Sequence, residues 1–129
     1  MDRVEGHRTD LIFFICFLLI TSFGLLFRNV LNYSNEFRFI ADSLGNIGGV
    51  IVASFLFFWW ANESRLKGRE FIILCVGIGL IIYEFLQILI PWQTFDIKDI
   101  WGTFIGVIIT SLLNILIFVL RKINRELKQ

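Results

Sequence analysis

Residues 42–54 read DSLGNIGGVIVAS and residues 99–111 read DIWGTFIGVIITS, so the second segment repeats the first at an offset of 57. In each copy an aspartate precedes a long apolar segment, and small residues follow at a spacing of four. The identical pairs are Asp42 and Asp99, Gly45 and Gly102, Gly49 and Gly106, Val50 and Val107, Ile51 and Ile108, and Ser54 and Ser111. The repeat predicts a chain of two similar halves, each with a polar feature at one end.

Four runs without Lys, Arg or Asp account for most of the 129 residues, and the chain is 57% hydrophobic. The runs are 11–27, 43–62, 71–90 and 100–120. About 20 apolar residues in a helix cross a hydrocarbon core of roughly 30 Å, and a helix satisfies its own backbone in lipid. We therefore predict an all-α integral membrane protein, with residues 1–129 forming a single four-helix transmembrane domain. The expected helices are 11–28, 43–61, 71–90 and 100–120.

The distribution of basic residues predicts the orientation of the chain. Nine of the 12 Lys and Arg residues lie in the two tails and in the segment 63–70, and three lie in the other two connections. The positive-inside rule then places both termini in the cytoplasm and the segments 29–39 and 92–98 outside. With two helices in each repeat, the halves form tandem helical hairpins related by a pseudo-two-fold along the membrane normal.

Small residues recur on the second and fourth predicted helices. Gly45 and Gly49 lie four residues apart on one helix, and Gly102 and Gly106 lie four apart on the other. Glycines at this spacing let two helix backbones approach closely in a membrane. The pattern predicts that the second helix packs against the fourth.

Glu84 is the only Asp, Glu, Lys or Arg well inside an apolar run. A charged side chain costs about 2.5–3.5 kcal/mol at the bilayer centre and less near the interface. Gln87 follows at i+3 and shares its helix face. Two interpretations remain open: a structural network in which Glu84 pairs with Arg28, and a polar pocket that opens to the outside.

Aspartates precede the second and fourth predicted helices, where capping of the helix N-terminus is the simpler role. The pocket hypothesis instead joins several of them to Glu84. Its candidate residues are Glu84, Gln87, Gln93, Asp96, Asp99, Asp42, Asn46 and Thr103. We expect no catalytic residue, cofactor or metal, because His7 is the only histidine and the chain has no phosphate-binding loop.

Residues 84–110, EFLQILIPWQTFDIKDIWGTFIGVIIT, resemble the signature of the VanZ-like family, which runs approximately E-x-x-Q-x-x-x-P-x-R-x-x-D-x-x-D-x-x-x-N-x-x-G-x-x-x-G. The matching residues are Glu84, Gln87, Pro91, Asp96, Asp99 and Gly106. Gln93, Thr103 and Thr110 replace the family's Arg, Asn and last Gly. The first-half motif D-K-x-x-H-x-x-x-Y matches only at Asp42, with Ser43, Asn46 and Val50 at its other positions. The chain is identified as a diverged member of this family.

The resemblance implies a multi-pass protein of the bacterial plasma membrane, since the namesake group is associated with lowered susceptibility to teicoplanin. It implies a binding or modulatory role in the cell envelope, with a lipid-linked or glycopeptide ligand at the outer face and no nucleic acid. One alternative is an enzyme that acts on a lipid-linked envelope substrate, with Glu84 as general acid or base; the missing His and Arg weigh against it. Another is a structural or transport subunit of an oligomer.

Overall fold

The computed structural model describes residues 2–27, 38–90, 92 and 95–127 of the chain. Within these residues it contains four helices, each long and apolar enough to cross a membrane. They are α1 (Asp2–Leu26), α2 (Arg38–Ala61), α3 (Leu66–Gln87) and α4 (Ile97–Glu126). For the described residues, the prediction of an all-α fold with four helices long and apolar enough to span a membrane is therefore confirmed.

The helices do not begin and end where the apolar runs do. α1 begins at Asp2, within the polar tail. α4 continues to Glu126, because Arg, Lys and Glu are good helix formers that need no apolar surroundings. α3 ends at Gln87, four residues before the proline at position 91, which disfavours helical backbone in the residue that precedes it. α4 begins after Asp96, whose side chain accepts a hydrogen bond of 2.9 Å from the backbone N–H of Lys98.

α2 is the central helix, since its backbone lies close to α1, α3 and α4. α4 also packs against α3, whereas α1 makes no close backbone approach to α3 or α4 within the described residues. The two halves are thus not packed equivalently, and the pseudo-two-fold relation stays a prediction. The apolar core consists of Ile51, Phe55, Phe58, Ile73 and Ile117.

The contact between α2 and α4 depends on two of the four glycines singled out by the repeat. A Cβ atom on Gly102 would lie 3.1 Å from the Cβ of Ser43, and one on Gly106 would lie 3.1 Å from the Cα of Ile47. Both contacts are tighter than ordinary side-chain packing, and the second is to backbone. The absence of a side chain at these positions therefore sets the distance between the two helices.

The other two glycines face different neighbours. A Cβ atom on Gly45 would lie 3.6 Å from Leu25 of α1, and one on Gly49 would lie 3.9 Å from Leu80 of α3. The contact is therefore asymmetric: the glycines of α4 pack against the Ser43 and Ile47 face of α2, and the glycines of α2 do not take part.

Several polar side chains lie in the interior of the bundle, and many large apolar side chains lie at its surface. Leu19, Phe23 and Leu112 are each more than 60% exposed, and many other apolar side chains surround the bundle in the same way. An exposed apolar belt of this extent is typical of a surface that contacts a membrane or another protein. The described polar side chains that are buried are Asp10, Ser43, Ser54, Arg69, Glu84, Thr103, Thr110 and Asn114.

Candidate functional site

The bundle has two ends that differ in their polar chemistry. The terminal end holds the start of α1, the end of α4 and the connection between α2 and α3; there His7 of α1 stacks on Trp59 of α2 at 5.4 Å. The Glu84 end lies opposite and holds the end of α3 and the start of α4. We predicted the candidate site at the Glu84 end.

Glu84 is buried in the bundle and only 3% exposed. Its Oε2 atom has no hydrogen-bond partner. The carboxylates of Asp99 and Asp96 are close enough to interact with it electrostatically, and their charge has the same sign. A buried carboxylate in this position is costly unless a proton, a water molecule or a ligand compensates it.

Asp96 and Asp99 stand at the start of α4 and have local roles as well. Asp96 caps the helix through Lys98, and the backbone N–H of Asp99 donates to the carbonyl of Asp96 at 3.0 Å. Asp99 lies in the first turn, where a negative charge complements the helix dipole. The capping role predicted from the sequence therefore applies to Asp96, which also interacts electrostatically with Glu84. For Asp42 the prediction is wrong, because α2 begins at Arg38 and position 42 lies inside the helix and not before it.

Three further polar residues lie where α2 meets the start of α4. The hydroxyl of Ser43 donates to the carbonyl of Lys98 at 3.5 Å. Thr103 is fully buried, and its hydroxyl donates to the carbonyl of Asp99 at 3.0 Å. The Cβ of Asn46 lies 3.3 Å from the place that a Cβ on Gly102 would take. The structure thus places Asp96 and Asp99 within electrostatic range of Glu84 and puts Asn46 and Thr103 at the contact between α2 and the start of α4.

For the remaining candidate residues, the structure describes little or nothing of the side chain. Gln87 lies in the last turn of α3 with a half-buried side chain. Gln93, Arg28 and the side chain of Asp42 lie outside the described residues. The pairing of Glu84 with Arg28 and the cavity between these side chains therefore both stay predictions.

The terminal end holds an ion cluster that we did not predict from the sequence. Arg69 of α3 donates to both carboxylate oxygens of Asp10 of α1, at 2.7 and 3.1 Å. Arg121 of α4 donates to Oδ1 of the same carboxylate at 3.2 Å and to the carbonyl of Gly6 at 3.4 Å. The guanidinium of Arg69 also lies 4.0 Å from the ring centroid of Phe58, a favourable cation–π contact.

One sequence signal could have found this cluster. Asp10, Arg69 and Arg121 each stand at the edge of an apolar run, and the charge distribution places all three on the same side of the membrane. In the sequence, the two arginines contribute to the predicted orientation of the chain in the membrane, and no partner was predicted for them. Nearby, the amide of Asn114 donates to Oε1 of Glu70 at 2.7 Å and joins α4 to α3.

No group of three or more His, Cys, Asp and Glu side chains that could hold a metal ion occurs among the residues that the structure describes. Comparison of the chain with protein-family models, with curated proteins and with solved structures finds no match. The class of protein is defined by the fold: a multi-pass membrane protein with four candidate membrane-spanning helices.

Proposed function

We propose that this chain is a VanZ-like protein of the bacterial plasma membrane whose Glu84 end faces outward and binds a ligand of the cell envelope. One observation supports the binding role most directly: Glu84 is 3% exposed, and its Oε2 atom lacks a hydrogen-bond partner. Buried polar groups that serve only structure are normally hydrogen-bonded. Ionisable residues within membrane-spanning helices more often mark functional sites.

The surroundings of Glu84 indicate which ligand groups the site would accept. Asp96 and Asp99 add negative charge beside Glu84, and carboxylates accept hydrogen bonds but donate none when ionised. The site therefore suits hydroxyl, amide or ammonium donors, which a glycopeptide or a lipid-linked saccharide carries. The proposed role is binding and modulation, in the manner of teicoplanin tolerance.

The proposal includes an orientation and a symmetry. Both termini lie in the cytoplasm, and α1–α2 and α3–α4 form tandem hairpins related by a pseudo-two-fold along the membrane normal. In intact cells, a cysteine replacing Trp92 should react with a membrane-impermeant thiol reagent, and a cysteine replacing Lys67 should not; the reverse pattern would contradict the orientation. A cryo-electron microscopy structure in lipid should superpose one helix pair on the other by a rotation of about 180°.

The function is tested with Glu84→Gln in a bacterial host that expresses the chain and is challenged with teicoplanin. The substitution preserves side-chain size and removes the charge. We expect expression and melting temperature to stay nearly unchanged while tolerance falls to that of the empty-vector strain. Glu126→Gln is the matched control, because Glu126 is exposed at the terminal end and its loss should leave tolerance intact.

Two results would overturn parts of this proposal separately. If the wild-type chain confers no tolerance, teicoplanin is not the relevant ligand. If Glu84→Gln folds poorly but retains full tolerance per folded molecule, Glu84 is a structural residue and the site is wrong.

A further inference from the structure

The ion cluster at the terminal end is not electrically balanced. Two guanidinium groups, those of Arg69 and Arg121, share the single carboxylate of Asp10. Glu63 also interacts electrostatically with Arg69, but it forms its own ion pair with Arg65 at 3.1 Å. The cluster of Asp10 and the two arginines therefore carries an excess of one positive charge.

Arg121 is the cation of the cluster that is partly exposed at the surface. The side chain of Arg69 is only 3% exposed, whereas that of Arg121 is 27% exposed. Lys122 and Arg125 follow Arg121 on α4. Residues three and four apart share a face of a helix, so Phe118, Arg121, Lys122 and Arg125 lie on one face of α4. A surface depression of about 400 Å³ is lined by Phe118, Lys122, Arg125 and Glu126.

A second depression at the same end provides an internal comparison. It is lined in part by Glu63, Arg65, Lys67 and Phe71. Here Arg65 is already engaged, because its side chain donates to both carboxylate oxygens of Glu63 at 3.2 and 3.1 Å. Each depression thus holds two cations and one carboxylate, Glu126 in the first and Glu63 in the second. Both adjoin the cluster, but through different groups. The second reaches it through Glu63, an acid that interacts with Arg69, whereas the first lies on the same helix as Arg121, the partly exposed cation of the cluster.

We propose that Arg121, Lys122 and Arg125 bind the phosphate group of an anionic phospholipid, with an acyl chain lying along Phe118. Guanidinium groups pair with phosphate oxygens through strong charge-assisted hydrogen bonds. Basic residues at the end of a membrane helix are attracted to anionic headgroups. A lipid fits better than free phosphate because the lipid-facing apolar surface of α4 directly precedes these cations. The site is at the opposite end from Glu84 and does not depend on the function proposed above.

Native mass spectrometry of the purified full chain tests this, with phosphatidylglycerol and phosphatidylcholine of identical acyl chains as probes. The wild type should bind phosphatidylglycerol at least about 10-fold more tightly than phosphatidylcholine. Lys122→Gln combined with Arg125→Gln should abolish that preference. Arg65→Gln combined with Lys67→Gln removes the same charge from the other depression and should keep it. Lys122→Glu alone, at an exposed position, serves as a second variant should the pair fold poorly.

Three results would overturn the proposal. The wild type could show no preference for the anionic lipid, in which case no such site exists. Both double variants could lose the preference equally, which would indicate a diffuse basic surface. An excess of inorganic phosphate could displace phosphatidylglycerol, which would make free phosphate the ligand.

Discussion

Asp10 and Glu84 are two carboxylates at opposite ends of one bundle, and each belongs to a residue that is 3% exposed. Asp10 receives hydrogen bonds from two guanidinium groups, whereas Glu84 has an unpaired oxygen and two aspartates beside it. The two residues are thus equally buried, but Asp10 is surrounded by positive charge and Glu84 has negative charge nearby. Removing a carboxylate from a buried ion cluster leaves its cations uncompensated, whereas a buried carboxylate without a hydrogen-bond partner is itself costly when ionised. The comparison separates a structural end of the molecule from a candidate functional end.

Removing the carboxylate at the structural end should have the largest effect. Asp10→Asn leaves Arg69 and Arg121 without their anion, so we expect the free energy of unfolding to fall by about 3–5 kcal/mol. Denaturant unfolding of the purified protein in detergent measures the change, with Glu126→Gln as the control. A loss below about 1 kcal/mol would show that the cluster is not structural.

A methyl group added at the contact between α2 and α4 should have the next largest effect on the free energy of unfolding. Gly106→Ala would place a Cβ 3.1 Å from the backbone of Ile47, which cannot move aside as a flexible side chain can. We expect a loss of about 1–3 kcal/mol in the same unfolding assay. Gly79→Ala is the control, because its Cβ would have no atom within 4 Å. Equal effects of the two substitutions would contradict the close-approach role of Gly106.

At the Glu84 end the corresponding substitution should barely change stability. Glu84→Gln replaces an unpaired buried carboxylate with a neutral amide, so the free energy of unfolding should change by less than about 1 kcal/mol. This is the direct counterpart of Asp10→Asn. If both substitutions destabilise the protein equally, the distinction between the two ends is wrong.

The smallest expected effect concerns Glu63, an acid in the connection between α2 and α3. Hydrogen bonds from the Arg65 side chain and backbone lower the pKa of Glu63 from its ordinary value of 4.5. Because the pKa is lower in the folded state, the stabilisation is present above 4.5 and is lost as the pH falls through the folded-state pKa. The side chain of Arg65 is 83% exposed, so solvent screening keeps the effect small. The difference in melting temperature between the wild type and Glu63→Gln should disappear at acidic pH; a difference that grows there would contradict this sign.

Helix number and type followed from the sequence because a bilayer demands long apolar segments and internally satisfied backbones. The ends of the helices did not, since charged residues such as those at 121–126 continue α4 without contributing to hydropathy. Glu84 interacts electrostatically with Asp99 and Asp96, three of the candidates taken from residues 84–110, and the pocket that would join them stays a prediction. The charge distribution places Asp10, Arg69 and Arg121 at the same end of the helices, but it does not show that they pair, because pairing across 59 and 111 residues depends on how the helices pack.

The same sequence separation has a consequence for how the chain is made. α1 leaves the ribosome before either arginine of the cluster has been synthesised, so Asp10 then lacks both of its partners in the folded structure. The ion pair between α1 and α3 can form first, and the contact with α4 closes the cluster only when the last helix has been inserted. The cluster is therefore complete only when all of α1, α3 and α4 are present, so a chain truncated before α4 retains Asp10 paired with Arg69 alone.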